Sequence, residues 1–107
     1  MKFIFEIRIR NGHTEQEYID AWKKGSGIIQ VSEGAEGTVL YRKIGEPGTL
    51  LAIASWESKE VRDVAMKKLD EAGLEVKEVL DNHNNYGDTN IIGNFEEIAR
   101  VEPPRDS

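Results

Sequence analysis

Thr38-Val39-Leu40-Tyr41-Arg42-Lys43-Ile44 and Leu50-Leu51-Ala52-Ile53-Ala54-Ser55-Trp56 flank the short segment Gly45-Glu46-Pro47-Gly48-Thr49. Both runs are rich in β-branched and aromatic residues, which suit a pleated, half-buried surface. Pro47 holds φ near the value wanted at the second position of a turn. Gly48 accepts the positive φ that a type II turn requires at the third. The stretch therefore reads as an antiparallel hairpin. Its second run is apolar on both faces, which predicts a strand at the centre of a sheet with cover on both sides.

Upstream, Phe3, Phe5, Ile7 and Ile9 alternate with Lys2, Ile4, Glu6, Arg8 and Arg10, the period of a strand with one apolar face. Asn11-Gly12-His13 stops it. Thr14 stands three residues before Glu17, the spacing of a capping box at a helix start. Tyr18, Ile19 and Trp22 then share a helix face. Gly25-Ser26-Gly27 predicts a kink or loosening, since each glycine costs about 1 kcal/mol relative to alanine. The plainer reading is close packing of the helix against the sheet. Glu33 to Gly37 reads as a loop.

Downstream of Trp56 the period changes to 3.6. Ser58 is the expected N-cap, Val61, Val64, Ala65, Leu69 and Ala72 form one face, and Gly73 reads as a left-handed stop. Val76, Val79 and Leu80 suggest one or two further helical turns. Asp81 to Asn90 is the most polar segment and reads as a loop. Ile91, Gly93, Phe95, Ala99 and Val101 suggest a last strand, with a bulge near Glu97. Pro103-Pro104 ends it, and Arg105-Asp106-Ser107 is expected to fray.

The order strand, helix, strand, strand, helix, strand is the ferredoxin-like βαββαβ arrangement. It predicts an α+β fold: a four-stranded antiparallel sheet with its helices on one face and the first and third strands central. The uncovered face would carry Ile4, Leu51, Ile53, Ile92 and Ile98 among Glu6, Arg8 and Arg100. A monomer seldom exposes such a patch, so a homodimer through the open sheet face is expected.

With 107 residues, one domain is expected over 1–102, with 103–107 as a C-terminal tail. The net charge of −6, from 14 basic and 20 acidic side chains, disfavours a nucleic-acid partner. There is no cysteine, which excludes disulfides, thiolate metal sites and cysteine nucleophiles. That composition fits a reducing compartment, and a cytoplasmic location is expected. Glu6, Arg8 and Arg10 interrupt the first apolar stretch, so no signal peptide is expected. No run approaches the ~20 apolar residues of a membrane span.

The chain resembles the antibiotic-biosynthesis-monooxygenase-like branch of the dimeric α+β barrel superfamily. The resemblance is carried by the first strand running through Asn11-Gly12 into Glu15 to Trp22, by Gly37 to Arg42, and by Ala54-Ser55-Trp56-Glu57-Ser58-Lys59-Glu60. It covers residues 2–70 and, more weakly, the final strand. It implies a homodimer whose two sheets close into a barrel, and a pocket between the helices and the sheet of each protomer. It also implies cofactor-independent oxygenation of aromatic polyketides or quinols, or oxidative cleavage of haem. The haem-cleaving members use an asparagine on the first strand, a tryptophan ending the third strand and a histidine on the second helix. Only Trp56 matches, so haem degradation is not expected.

Trp56, Trp22 and Tyr41 are the aromatic groups expected to line such a pocket and stack on a flat ligand, against the alternative of ordinary core packing. His83 is the expected acid or base, with His13 as the other histidine; the alternative for each is a solvated loop residue. A base would remove a phenolic proton and leave an electron-rich anion able to react with oxygen. Arg8 could bind an anionic group, or form an ion pair on the sheet. Asp81, His83 and Asp88 have irregular spacing, and neither a metal nor a bound cofactor is expected. No Gly-x-Ser-x-Gly and no phosphate-binding glycine loop occurs. Two functions follow: a small cofactor-independent monooxygenase acting on an aromatic or quinol, or a non-catalytic dimeric module that binds a small ligand. A filled helix–sheet interior would favour the second. An apolar cavity of several hundred cubic ångströms (on the scale of ligand pockets) with a histidine at its rim would favour the first.

Overall fold

A computed structural model describes residues 1–105. The elements are β1 (Lys2–Ile9), α1 (Glu15–Ile29), β2 (Ala35–Arg42), β3 (Thr49–Trp56), α2 (Lys59–Asp70), α3 (Leu74–Asp81), a 3₁₀ turn (Asn82–Asn85) and β4 (Gly87–Phe95). The sheet is antiparallel throughout, in the order β2-β3-β1-β4. This is the ferredoxin-like α+β arrangement with β1 and β3 central.

The β2–β3 connection is built as its residues dictate. Thr49 N donates to Glu46 O at 3.3 Å across Pro47-Gly48, with Gly48 at φ 83°. A second turn precedes it, closed by Glu46 N to Lys43 O at 3.4 Å with Gly45 at φ 88°. Two consecutive glycine-dependent turns fix the hairpin register that pairs Leu40 with Ala52 and Tyr41 with Leu51.

At the start of α1, Thr14 Oγ1 accepts from Glu17 N at 3.1 Å while Glu17 Oε1 accepts from Thr14 N at 2.9 Å. The helix then runs unbroken through Gly25-Ser26-Gly27. Its neighbour at the first of these glycines is another helix. A Cβ on buried Gly25 would stand 3.4 Å from Val79 O and 3.5 Å from the Cα of Leu80. The glycine packs against the backbone of α3, not against the sheet, and also borders the space between the helices and the sheet.

Ser58 caps α2, accepting from Val61 N at 3.1 Å. Gly73 is not a left-handed stop: with φ 114° and ψ 169° it begins α3, a separate third helix. The last strand also differs from expectation. β4 starts at Gly87, inside the segment that reads as a loop, and ends at Phe95. Asp88, Thr89 and Asn90 are polar, yet they pair with Arg8, Ile7 and Glu6 as an edge strand can. The irregularity lies between the pairs Ile4–Gly93 and Phe5–Ile91, and not at Glu97. Likewise β2 begins two residues inside the expected Glu33–Gly37 loop, with a break in register between Ala35 and Thr38. Asp106 and Ser107, expected to fray, lie outside the described residues.

Ile7, Tyr18, Leu50 and Ala52 form the buried core, joined by Phe5, Ile9, Trp22, Leu40 and Tyr86. Strand alternation sends Ile4, Glu6, Arg8, Leu51 and Ile53 to the opposite face. Val39, Tyr41 and Phe95 share that face and are each about half exposed. Ile98 does not join it: it lies beyond the end of β4 and is 92% exposed. Among the described residues no helix is long and apolar enough to cross a membrane.

Candidate active site

A cavity of about 460 Å³ lies between the sheet and the three helices. Phe3 and Phe5 of β1, Ala54 and Trp56 of β3 and Ile91 of β4 form its floor. Trp22 and Ile29 of α1, Met66 and Leu69 of α2 and Leu80 of α3 form its walls. The lining is mainly hydrophobic, with a few polar groups converging on it, as small-molecule sites are built.

His83 is one of those groups. The 3₁₀ turn after α3 brings it to the cavity wall, where it is half-buried. Its Nδ1 lies 3.2 Å from the hydroxyl of Tyr18 on α1. The two rings meet edge to face, with centroids 5.5 Å apart and an interplanar angle of 84°. Phe5 packs on the imidazole from the sheet at 6.5 Å. Burial pushes the His83 pKa below the usual imidazole value, and nearby Asp81 opposes that shift. Burial also pushes the phenol of Tyr18 well up, since that residue has no exposed surface. Tyr18 therefore keeps its proton, and among the described residues His83 Nδ1 is its one hydrogen-bond partner.

The pair admits two tautomers. When Tyr18 O–H donates to Nδ1, Nε2 carries the imidazole hydrogen and donates toward a ligand. When Nδ1–H donates to the Tyr18 oxygen, Nε2 offers a lone pair and can accept a proton. In both, Nε2 is the nitrogen left free for chemistry.

The other expected site residues divide cleanly. Trp56 and Trp22 line the cavity; Trp56 is 1% exposed and belongs to the core as much as to the floor. Tyr41 does not line it. Opposite Leu51, Tyr41 faces away from the helices, while its neighbour Leu40 packs on the core. Arg8 is on that outer face too, 3.8 Å from Glu6 with its side chain 69% exposed. Arg8 thus stands where the alternation of β1 puts it, in the ion-pair arrangement, while Tyr41 is the correction, because one residue along a strand reverses the face. His13 is held at the start of α1, 3.5 Å from Glu17 and edge-on to Tyr86, and does not line the cavity. Asp88 pairs with Arg10 at 2.9 Å on β4. Among the described residues no group of three His, Asp or Glu side chains is placed to hold a metal ion.

Two cavity-linked residues escape the sequence reading. Tyr18 reads there as a helix-face aromatic, with nothing to mark its hydroxyl as the partner of a histidine 65 positions away. Arg62 carries a clearer signal: with Met66 and Leu69 it falls at i, i+4 and i+7 on one stripe of α2. A cation at an inward helical position is worth noting. Its guanidinium lies over the Phe3 ring, 3.8 Å from the centroid. Burial lowers its pKa, and Asp63 opposes that.

No family model matches the sequence, and no curated protein matches it either. Solved structures do. An asparagine-to-alanine variant of SnoaB, a cofactor-independent oxygenase from Streptomyces nogalater, superposes with a TM-score of 0.76 at 12% identity, over 94% of this chain and 96% of that one. A candidate antibiotic biosynthesis monooxygenase from Bordetella bronchiseptica gives 0.62 at 14% identity, over 89% and 96%. Another from Chloroflexus aurantiacus gives 0.61 at 12% identity, over 92% and 95%. At these identities the common property is the fold, and it is the fold that the sequence resemblance implies.

Proposed function

We propose that this chain is a small oxygenase of the antibiotic-biosynthesis-monooxygenase-like kind, oxidising an electron-rich aromatic or quinol with dioxygen and no bound cofactor. The observation that carries the reading is the position of His83: a half-buried imidazole on the wall of an apolar cavity, with Nδ1 tied to Tyr18 and Nε2 free. The likeness to SnoaB supports it.

A flat substrate lies against Trp56 and Trp22. Its hydroxyl reaches His83 Nε2, which takes the proton in the tautomer where Nδ1–H donates to Tyr18. The resulting anion is rich enough in electrons to pass one to dioxygen. Hydrophobic walls keep water from the reactive species. The protein acts in the cytoplasm as a homodimer, its partner covering Ile4, Leu51, Ile53, Val39 and Tyr41 on the outer face of the sheet.

The test is oxygen consumption over a panel of quinols and hydroxynaphthalenes with wild type, His83→Gln and Trp22→Phe. A substrate should support uptake that falls at least ~100-fold in His83→Gln, the scale of general-base catalysis. Panel members that bind with no uptake would point to the non-catalytic binding module. Uptake unchanged in His83→Gln would remove the histidine from the mechanism.

A further inference from the structure

Four charged side chains line the cavity: Arg62, Lys77, Asp70 and Asp81. Lys77, Asp70 and Asp81 belong to exposed residues, whereas the side chain of Arg62 is only 18% exposed. A guanidinium carries five N–H donors in a rigid plane. None of them makes a hydrogen bond to any described residue. The nearest carboxylate oxygen, on Asp63, stands 4.0 Å away, and Asp63 already accepts from Lys59 Nζ at 2.7 Å. The guanidinium carbon stands 3.8 Å from the centre of the Phe3 ring, a cation–π contact that holds the group in place without using its N–H donors.

A half-buried cation anchored on an aromatic ring, with unused donors and apolar neighbours, is suited to a planar anion. Two parallel N–H···O bonds to a carboxylate match its fork, and removal from water strengthens the attraction. We propose that the cavity selects an aromatic carboxylate, its carboxylate on Arg62 and its ring system extending toward Trp22 and Trp56. The ring rests on the proposed function; the anion is an addition to it. At the exposed edge Asp70 and Asp81 outnumber Lys77 and would repel an anion on balance, so the carboxylate belongs on the less exposed Arg62.

Isothermal titration calorimetry of the full chain with 2-naphthoate and methyl 2-naphthoate decides the matter without turnover. Wild type should bind the acid at least ~10-fold more tightly than the ester, the value of one good charge-assisted contact. Arg62→Gln should bring the acid to parity and leave the ester unchanged, which also shows the cavity intact; Arg62→Lys should keep part of the preference. Equal affinity in wild type, no binding of either probe, or a preference that survives Arg62→Gln overturns the proposal. Should Arg62→Gln fail to fold, the wild-type ratio of acid to ester still decides. Carboxylate preference without oxygen uptake would leave the anion site standing and the oxygenase reading fallen; uptake without preference would do the reverse.

Discussion

The Tyr18 hydroxyl and His83 Nδ1 lie 3.2 Å apart, joining the first helix to the turn after the third. The bond fixes which imidazole nitrogen is free. Tyr18→Phe removes it and leaves a half-buried Nδ1 without a partner, at a cost of about 1 kcal/mol in stability. Because the Tyr18 oxygen accepts from Nδ1–H in the working tautomer, and more strongly once the ring is charged, its loss disfavours the charged ring. The acid limb of the oxygen-uptake profile should move to lower pH, with kcat reduced and KM little changed. A profile identical to wild type would mean that Tyr18 does not set the state of His83.

The depressed pKa of His83 has a second consequence. In the unfolded chain the ring titrates near the ordinary value of about 6.5. Below that pH the unfolded state binds a proton that the native state resists, so stability falls as the pH drops from 6.5 toward the lower native pKa and then levels off. Glu15, held below its usual carboxylate range by a hydrogen bond from Arg42, acts only in a more acidic window. Thermal melts between pH 7.5 and 5 should show a loss of Tm that His83→Gln reduces. Equal losses in both proteins would place the sensitivity elsewhere.

Trp56 is almost wholly buried and closes β3, its backbone N–H donating to Met1 O at 2.9 Å. Truncation to alanine should therefore cost about 3–5 kcal/mol in chemical denaturation, as large core deletions do. Trp56→Phe keeps most of the volume and is the variant in which a change in ligand affinity reports the cavity. A cost near zero for Trp56→Ala would contradict the burial.

Val39 and Tyr41, each about half exposed on the outer face of the sheet, offer a test of the assembly. Sedimentation of wild type at micromolar concentration should give a dimer. Val39→Glu with Tyr41→Glu should give a folded monomer, because charges buried without partners oppose association. A monomeric wild type would overturn the homodimer.

The hairpin, both caps and the strand order were legible because each rests on local chemistry: Pro47-Gly48 for the turn, Thr14 with Glu17 and Ser58 for the helix starts. The polar start of β4 was not. Asp88, Thr89 and Asn90 lie in a strand because β1 supplies paired backbone, and no propensity announces that. Trp22, Trp56 and His83 reach the cavity because their elements converge there. Tyr41 misses it because hydrophobicity on both sides of a strand conceals which side faces the helices. Tyr18 and Arg62 gain their roles from residues far along the chain, Tyr18 from His83 and Arg62 from Phe3.

Gly25 is a seam, not a spacer. The main chain of α3 rests against it at Val79 and Leu80, and His83 follows only a few residues later. An alanine methyl there would stand 3.4 Å from Val79 O and 3.5 Å from the Cα of Leu80, ordinary van der Waals separations, so it leaves α3 and the imidazole where they are. The helix that carries Tyr18 and Trp22 and the helix that leads to His83 thus meet along a join with room for one carbon to spare.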